Sequence, residues 1–236
     1  ILASGGCIVP PEGYFKKIYD ICKKNEIIFI ADEVVTGFGR LGHFFSSEEI
    51  FGVVPDIITC AKGITSGYLP LGAVLFSNKL IADLKDDSSL FFHGYTYSGH
   101  PACCAAALKN IEILKRDKIL EHVKEIEPYF FEKLNTLYEL PIVGDIRGKG
   151  LMAGIECVIN KDSKEALVLD KAIGSRIDEE SIKLGLIIRP LYHICVLSPA
   201  LIINKEQINE LTEKLYQAIS NTIDQLKIEG LWSQNK

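Results

Sequence analysis

The sequence predicts an α/β protein whose first part carries a mostly parallel sheet and whose second part is α+β. Two short apolar runs, Ile27–Ala31 and Ile57–Ala61, each follow a helical or amphipathic segment. Runs of this kind are typical of strands that lie buried in parallel sheets. The pattern then changes, because beyond about residue 142 several short strands surround a helix.

The elements of the first part follow from local signals. Two prolines precede a helix that runs to about Asn25, since its apolar residues recur on one face. The helix predicted at 101–116 starts at a proline and should turn Cys104, Leu108, Ile111 and Leu114 inward. The other predicted elements are the two buried strands, an amphipathic piece at 47–51, a third strand at 71–76, a helix at 79–85 and a glycine-rich loop at 91–100.

The second part begins with a helix and ends with one. Asn204 and Gln207 have the spacing of a capping box at the start of the last helix, and Ile203 and Ile208 that of a hydrophobic staple. The predicted elements before it are a helix at 119–137, strands at 142–146, 151–158, 186–189 and 195–197, and a helix at 170–184. We therefore place a domain boundary between residues 122 and 123.

Composition excludes several classes of protein. Hydrophobic residues make up 47% and charged residues 24% of the chain, and the net charge is −5, which argues against nucleic acid or an anionic membrane as the main partner. The sequence contains no long apolar span or signal-peptide pattern. The seven cysteines include no Cys-x-x-Cys pair, and the five histidines have no ligand spacing. We therefore expect reduced thiols in a cytoplasmic protein and no metal site.

Two charged residues follow the apolar runs, Asp32 after the first and Lys62 after the second. Strand ends of a parallel sheet meet at one edge, where ligands of such sheets bind. Apolar neighbours could desolvate the Lys62 ammonium and make it a nucleophilic amine, although a strand-end lysine can also simply reach solvent. Pyridoxal phosphate chemistry uses this pair: a lysine that binds the aldehyde and an acid that keeps the pyridine nitrogen protonated.

Six stretches resemble, in order, motifs of the class III pyridoxal-phosphate aminotransferases of fold type I. They are Ala31–Gly42 (ADEVVTGFGRLG), Pro55–Gly63 (PDIITCAKG), Gly67–Ala73 (GYLPLGA), Thr96–Pro101 (TYSGHP), Asp145–Glu156 (DIRGKGLMAGIE) and 186–201 with IIRP and LSPAL. The resemblance covers nearly the whole chain but only the C-terminal half of a family member. It implies a large-domain portion at 1–122 and a C-terminal small domain at 123–236.

The resemblance implies roles for five residues. Lys62 resembles the lysine that carries the cofactor and moves the proton at the substrate carbon, and Asp32 the partner of the pyridine nitrogen. Val34 resembles the apolar residue against the ring, and Thr96 the residue that reaches the cofactor phosphate of the neighbouring protomer in a homodimer. Arg189 resembles the arginine that pairs with a substrate carboxylate, a task that suits a planar guanidinium. An ordinary surface ion pair is the alternative for Arg189.

The resemblance also implies an activity: transfer of an amino group from an ω-amino acid or amine to a 2-oxo acid, most simply pyruvate. A diaminononanoate-forming transaminase and a glutamate-semialdehyde aminomutase share the lysine and the aspartate and stay alternatives. So does a truncated, non-catalytic chain, because the sequence opens on Ile1 and lacks the family's upstream Gly-Ser phosphate segment and ring-stacking aromatic. The upstream coding sequence would decide between these.

Overall fold

The structure is a computed structural model that describes residues 1–84, 92–162, 165–166 and 173–233. The chain forms two compact units. The lysine unit is Pro10–Glu121, and the second unit combines Ile1–Val9 with His122–Lys236. The assignment of residues 1–122 and 123–236 to two domains of the family stays a prediction.

A three-stranded sheet organises the lysine unit. Strand β2 lies in the middle, parallel to β1 and antiparallel to β3. Because β1 and β2 are parallel, the residues that follow their C-terminal ends lie at the same edge of the sheet. The elements are α1 (Tyr14–Lys24), β1 (Ile30–Asp32), α2 (Ser46–Glu49), β2 (Ile57–Cys60), β3 (Ala73–Phe76), α3 (Asn78–Leu84) and α4 (Pro101–Arg116).

The first strand differs from its prediction in extent and in burial. It covers only Ile30–Asp32, and Ile27, Ile28 and Ile30 are each more than half exposed. The backbone of Phe29 explains the late start, because its N–H donates to the Asp56 carboxylate at 2.9 Å instead of joining a strand ladder. The prediction of a buried strand over the whole run is therefore wrong. The end of the predicted helix at Lys85 and the loop residue Phe91 lie outside the described residues.

Helix α4 has the predicted limits but a different inner face. Its buried residues are Cys103, Ala107 and Leu114, whereas Leu108 is 70% exposed. The predicted apolar face is therefore wrong at Leu108. Two small residues on the true inner face let the helix approach the turn that follows β2, which a row of larger apolar residues would keep further away.

The second unit is built on an antiparallel sheet of order β4-β5-β8-β7, with β6 paired to β5. Strands β5 and β8 are buried along most of their length. The strand predicted at 186–189 lies later in the chain, and β6 was not predicted. The elements are α5 (Ile119–Asn135), which leads into this unit, β4 (Val143–Lys149), β5 (Met152–Asn160), β6 (Glu165–Ala166), α6 (Ile173–Lys183), β7 (Arg189–Leu191), β8 (Ile194–Leu197) and α7 (Lys205–Ile228).

The last helix confirms its predicted start. The side chain of Asn204 accepts from the Gln207 N–H at 2.9 Å, and the Gln207 side chain accepts from the Asn204 N–H at 3.1 Å. This reciprocal pair satisfies two backbone donors at the helix start. The apolar face buries Ile208, Leu215 and Ile219 with other residues of the same stripe. The first residues of the helix predicted at 170–184 lie outside the described residues.

Within the second unit, Arg147 connects the N-terminal segment to the sheet. The guanidinium Nε of Arg147 donates to the Gly6 carbonyl at 2.8 Å, and its Nη1 contacts Asp145 and Glu156. Gly6 has φ 94°, and a Cβ there would come within 2.9 Å of the guanidinium, which favours glycine. Burial raises the pKa of the neighbouring Cys7 thiol to about 11, against the opposing charge of Arg147.

Two features are absent from the described ranges. Among the helices of these ranges, none is long and apolar enough to cross a membrane. Within the same ranges, no group of three or more histidine, cysteine, aspartate or glutamate side chains could hold a metal ion.

Candidate functional site

Asp32 is the last residue of β1 and pairs in register with Thr59 of β2. Its Oδ1 accepts a hydrogen bond from the Val34 N–H at 2.9 Å, so the carboxylate organises the first residues of the loop that follows the strand. Asp32 is exposed and Val34 is half-buried. The carboxylate therefore lies exposed at the sheet edge.

Lys62 begins the short 3-10 turn Lys62–Thr65, directly after the extended residue Ala61. Its φ is 42°, in the left-handed region that a residue with a side chain enters at a cost of about 1–2 kcal/mol. Such a conformation persists only where the surroundings hold it, and these residues concentrate at functional sites. Lys62 and the loop residues from Ser66 to Leu69 are exposed in this chain, so apolar neighbours within it do not bury the amine.

Asn110 of α4 holds this turn from one side. Its Nδ2 donates to the Gly63 carbonyl at 2.8 Å and to the Ile64 carbonyl at 3.1 Å. Its Oδ1 accepts from the Ser66 hydroxyl at 2.7 Å. Sequence reasoning missed Asn110, although its spacing of seven residues from Cys103 and four before Leu114 places it on the inner face of the helix.

The loop after Asp32 touches the same turn from the other side. A Cβ at Gly63 would come within 2.9 Å of the Phe38 Cβ and 3.1 Å of the Gly37 carbonyl oxygen, so position 63 has room only for glycine. Phe38 itself is buried with φ 56°. The two loops that follow Asp32 and Lys62 are therefore packed directly on each other.

Glu33 fixes the first of these loops and was also missed from the sequence. Its side chain is almost fully buried, with 2% of the residue exposed. One carboxylate oxygen accepts from the hydroxyls of Thr36 and of Ser46, the latter at 2.8 Å, and the other accepts from the Ser47 N–H at 2.7 Å. A buried carboxylate is stable only when it is bonded in this way. Glu33 thus ties the loop to α2 while its neighbour Asp32 stays at the surface.

An apolar cavity of about 320 Å³ lies beside the turn in the lysine unit. Phe38, Cys60, Ile64 and Ile111 line it, with Lys115 placed 5.6 Å from the ring centre of Phe44. Burial raises the pKa of the Cys60 thiol. Asp32 and Lys62 do not line this cavity, so it is separate from the edge where the two charged groups stand.

The remaining predicted residues are exposed. Thr96 lies in a turn closed by the Ser98 N–H, which donates to the Tyr95 carbonyl at 2.9 Å. This turn leads into α4, the helix that carries Asn110. Arg189 is the first residue of the edge strand β7 in the second unit. The structure thus brings Asp32, Val34 and Lys62 to one sheet edge within the lysine unit.

Comparison with known proteins gives a consistent set of relatives. Residues 1–219 match the sequence profile of the family described as "Aminotransferase class-III". A putrescine–pyruvate aminotransferase of Pseudomonas aeruginosa is 42% identical over 223 residues, which is 94% of this chain and 48% of that protein. Gamma aminobutyrate transaminase 3 of Solanum lycopersicum is 40% identical over 239 residues, covering all of this chain and 45% of the relative.

Solved structures of similar proteins share the fold. An (S)-enantioselective omega-transaminase from Thermomicrobium roseum matches with a TM-score of 0.88 and 40% identity, over 93% of this chain and 49% of that one. An amine transaminase from an uncultivated Pseudomonas species, solved in its PLP-bound form, matches with a TM-score of 0.88 and 38% identity, over 93% and 50%. The chain spans about half the length of the relatives it matches.

Proposed function

Since the chain belongs to the class III aminotransferase family, we propose that the protein transfers an amino group from an amine or ω-amino acid to pyruvate, using pyridoxal phosphate. The observation that carries the proposal is the meeting of Asp32 and Lys62 at one edge of the sheet. The names of the relatives support the substrates, because one of them is a putrescine–pyruvate aminotransferase and another an omega-transaminase.

The residues at the sheet edge fit the cofactor. A primary amine and a carboxylate are the two groups that its aldehyde and its pyridine nitrogen require. Lys62 is held in a backbone conformation that a side chain seldom adopts, and the loop of Asp32 packs against the turn of Lys62. Lys62 would bind the cofactor covalently through Nζ. Asp32 would form an ion pair with the protonated ring nitrogen, and Val34 would pack against the ring.

Each residue then has a defined task. Bound pyridoxal phosphate supplies an electron-accepting ring that stabilises negative charge at the substrate carbon. When the incoming substrate amine takes its place on the aldehyde, the freed Lys62 Nζ would remove a proton from that carbon and return one, as a positioned general base and acid. The Asp32 carboxylate would keep a proton on the ring nitrogen. Arg189 binds the carboxylate of the 2-oxo acid with its two-pronged guanidinium. The donor leaves as a carbonyl compound, and pyruvate leaves as alanine.

We also propose a homodimer in which Thr96 serves the site of the neighbouring copy. The turn that carries Thr96 supports this, because Phe92, Tyr95 and Tyr97 around it are 93%, 77% and 81% exposed. A cluster of exposed aromatic side chains is typical of a surface that a partner covers. All seven cysteines lie in the described ranges and are free thiols, which supports the cytoplasm as the compartment.

A direct assay tests the proposed function. The protein is expressed together with any coding sequence that lies in frame upstream of Ile1, loaded with pyridoxal phosphate and supplied with putrescine and pyruvate. We expect alanine to form in proportion to the amine consumed, and no product without the cofactor. Absence of alanine from a folded, cofactor-loaded protein with several amines and ω-amino acids would overturn the proposal.

A further inference from the structure

We infer that Asn110 is the positioning residue of Lys62: its side chain holds the left-handed turn so that the amine stays at the sheet edge beside Asp32. The inference deepens the proposed function and rests on it for the reaction, but the holding role itself concerns only this chain. Asn110 would act through the backbone next to Lys62 and need not touch substrate or cofactor.

The hydrogen bonds of Asn110 are made to the residues that follow the strained Lys62. The carbonyls that it binds belong to Gly63 and Ile64, the two residues directly after Lys62. The hydroxyl it accepts from belongs to Ser66, which directly follows the turn and, like Lys62, has a left-handed φ, at 50°. One carboxamide thus contacts the turn at three points, using both its donor and its acceptor atoms.

The backbone of the turn needs this support. The Gly63 carbonyl receives the Ser66 N–H at 3.2 Å, and the Lys62 carbonyl receives the Gly67 N–H at 3.3 Å, both at the long end of the normal range. Two further bonds support the turn, from the Ile64 N–H to the Ala61 carbonyl at 3.0 Å and from the Thr65 hydroxyl to the Leu69 carbonyl at 2.6 Å. A residue with a side chain stays in the left-handed region only where such contacts over-determine it. Asn110 adds three hydrogen bonds, two donated to carbonyls and one accepted from a hydroxyl. Phe38 packs against Gly63 from the other side.

The place of Asn110 in the fold gives the contact a further consequence. Helix α4 starts at Pro101, five residues after Thr96, and Asn110 lies at its middle on the inner face. A rigid helix therefore connects the turn of Thr96 to the turn of Lys62. One helix therefore supports both the turn of Thr96 and the turn of Lys62. Residues supported by a rigid element are positioned more precisely than residues on independent loops.

Three variants separate positioning from packing. Asn110→Ala removes all three bonds, while a better helix former replaces asparagine and offsets part of the lost stability. Asn110→Asp keeps the shape and the acceptance from Ser66, but points a carboxylate at two carbonyl oxygens. Ser66→Ala removes one bond only. Lys109→Ala is the matched control, because it lies next to Asn110 and its side chain pairs with Glu112 at the surface.

The first measurement needs no cofactor. Amide hydrogen exchange at Ile64 and Ser66 should be about tenfold faster in Asn110→Ala and Asn110→Asp than in the parent, and less accelerated in Ser66→Ala. In Asn110→Asp, protection should partly return as the pH falls below the carboxyl pKa, because the protonated acid can donate again. Lys109→Ala should match the parent. Unchanged exchange in Asn110→Ala would overturn the inference.

The second measurement uses the cofactor-loaded protein. Asn110→Ala and Asn110→Asp should lower kcat by about tenfold or more while KM and the unfolding midpoint change little, because a misplaced base slows proton transfer and not substrate binding. Faster exchange with an unchanged kcat would overturn the positioning role. An inactive parent would overturn the proposed function, and the exchange rates would then decide the role of Asn110 by themselves.

Discussion

Asp32 and Lys62 lie at the C-terminal ends of two neighbouring parallel strands, at the same edge of the sheet. Asp32 lies in register with Thr59, and Lys62 follows Thr59 by three residues. Asp32 ends its strand and Lys62 starts a strained turn, so the backbone places both residues at this edge.

The carboxylate of Asp32 should matter for rate and not for folding. Asp32→Asn keeps the size of the side chain and its acceptance from the Val34 N–H, but removes the charge that holds a proton on the ring nitrogen. We expect normal covalent loading of the cofactor and a fall in turnover of about 10²-fold or more. Loading is read from the visible absorbance and turnover from alanine formation. Unchanged turnover would show that Asp32 does not serve the ring nitrogen.

Glu33 should matter for stability. Glu33→Gln leaves a buried carboxamide that cannot accept all the bonds made by Thr36, Ser46 and the Ser47 N–H. We expect a loss of about 1–3 kcal/mol in the free energy of unfolding, measured by urea denaturation. The exposed neighbour variant Glu48→Gln should change it by less than about 0.5 kcal/mol. Equal effects of the two variants would contradict the proposed contribution of the Glu33 hydrogen bonds to stability.

These two carboxylates show what the sequence can and cannot reveal. Asp32 was predictable, since it follows an apolar run just as Lys62 does, and strand ends meet at an edge. The burial of Glu33 depends on where α2 and its two serines fold back, which local spacing does not determine. Asn110 was not predicted for a related reason. The inner face of a helix is predicted from its apolar residues, whereas the inner face of α4 includes Cys103, Ala107 and the polar Asn110.

Burial was the least predictable property. The apolar run at 27–31 was expected to be buried, yet its isoleucines are exposed in a sheet that has three strands. Hydrophobic runs indicate strands, but neighbouring elements decide which of them are covered. The start of the last helix was predicted well, because a capping box is a local signal.

Asp56 should make the stability of the lysine unit depend on acid pH. Burial acts to raise the pKa of this carboxyl, but hydrogen bonds from Lys23 and the Phe29 N–H outweigh it and lower the pKa below the ordinary value. A lowered pKa means that the contribution is present above about pH 4 and is lost as the pH falls through the folded-state pKa.

A variant isolates this contribution. Asp56→Asn should cost about 1 kcal/mol of unfolding free energy at neutral pH, a modest value because Lys23 is partly exposed. The difference from the parent should shrink as urea melts are repeated from about pH 6 down to 3. The exposed pair of Lys16 and Asp20 provides the control, and Asp20→Asn should have little effect. A difference that does not change with pH would contradict a lowered pKa for Asp56.

Arg189 should distinguish between the two substrates. Arg189→Ala should slow the half-reaction with pyruvate by roughly tens to thousands of fold, because the substrate carboxylate loses its charged partner. The half-reaction with an arylalkyl amine that has no carboxylate should change far less. Single-turnover rates of both half-reactions on one preparation measure the difference. Equal losses of rate in the two half-reactions would show that Arg189 contributes to the stability of the fold and not to recognition of the carboxylate.

The most direct measurement is the chemical identification of the residue that holds the cofactor. The protein, expressed with any in-frame upstream sequence, is loaded with pyridoxal phosphate, reduced with borohydride, digested and analysed by mass spectrometry. We predict that the cofactor mass lies on Lys62, and that Lys62→Ala retains its fold but neither the label nor measurable amino transfer. A label on another lysine, or normal amino transfer by Lys62→Ala, would contradict the assignment of this sheet edge as the active site.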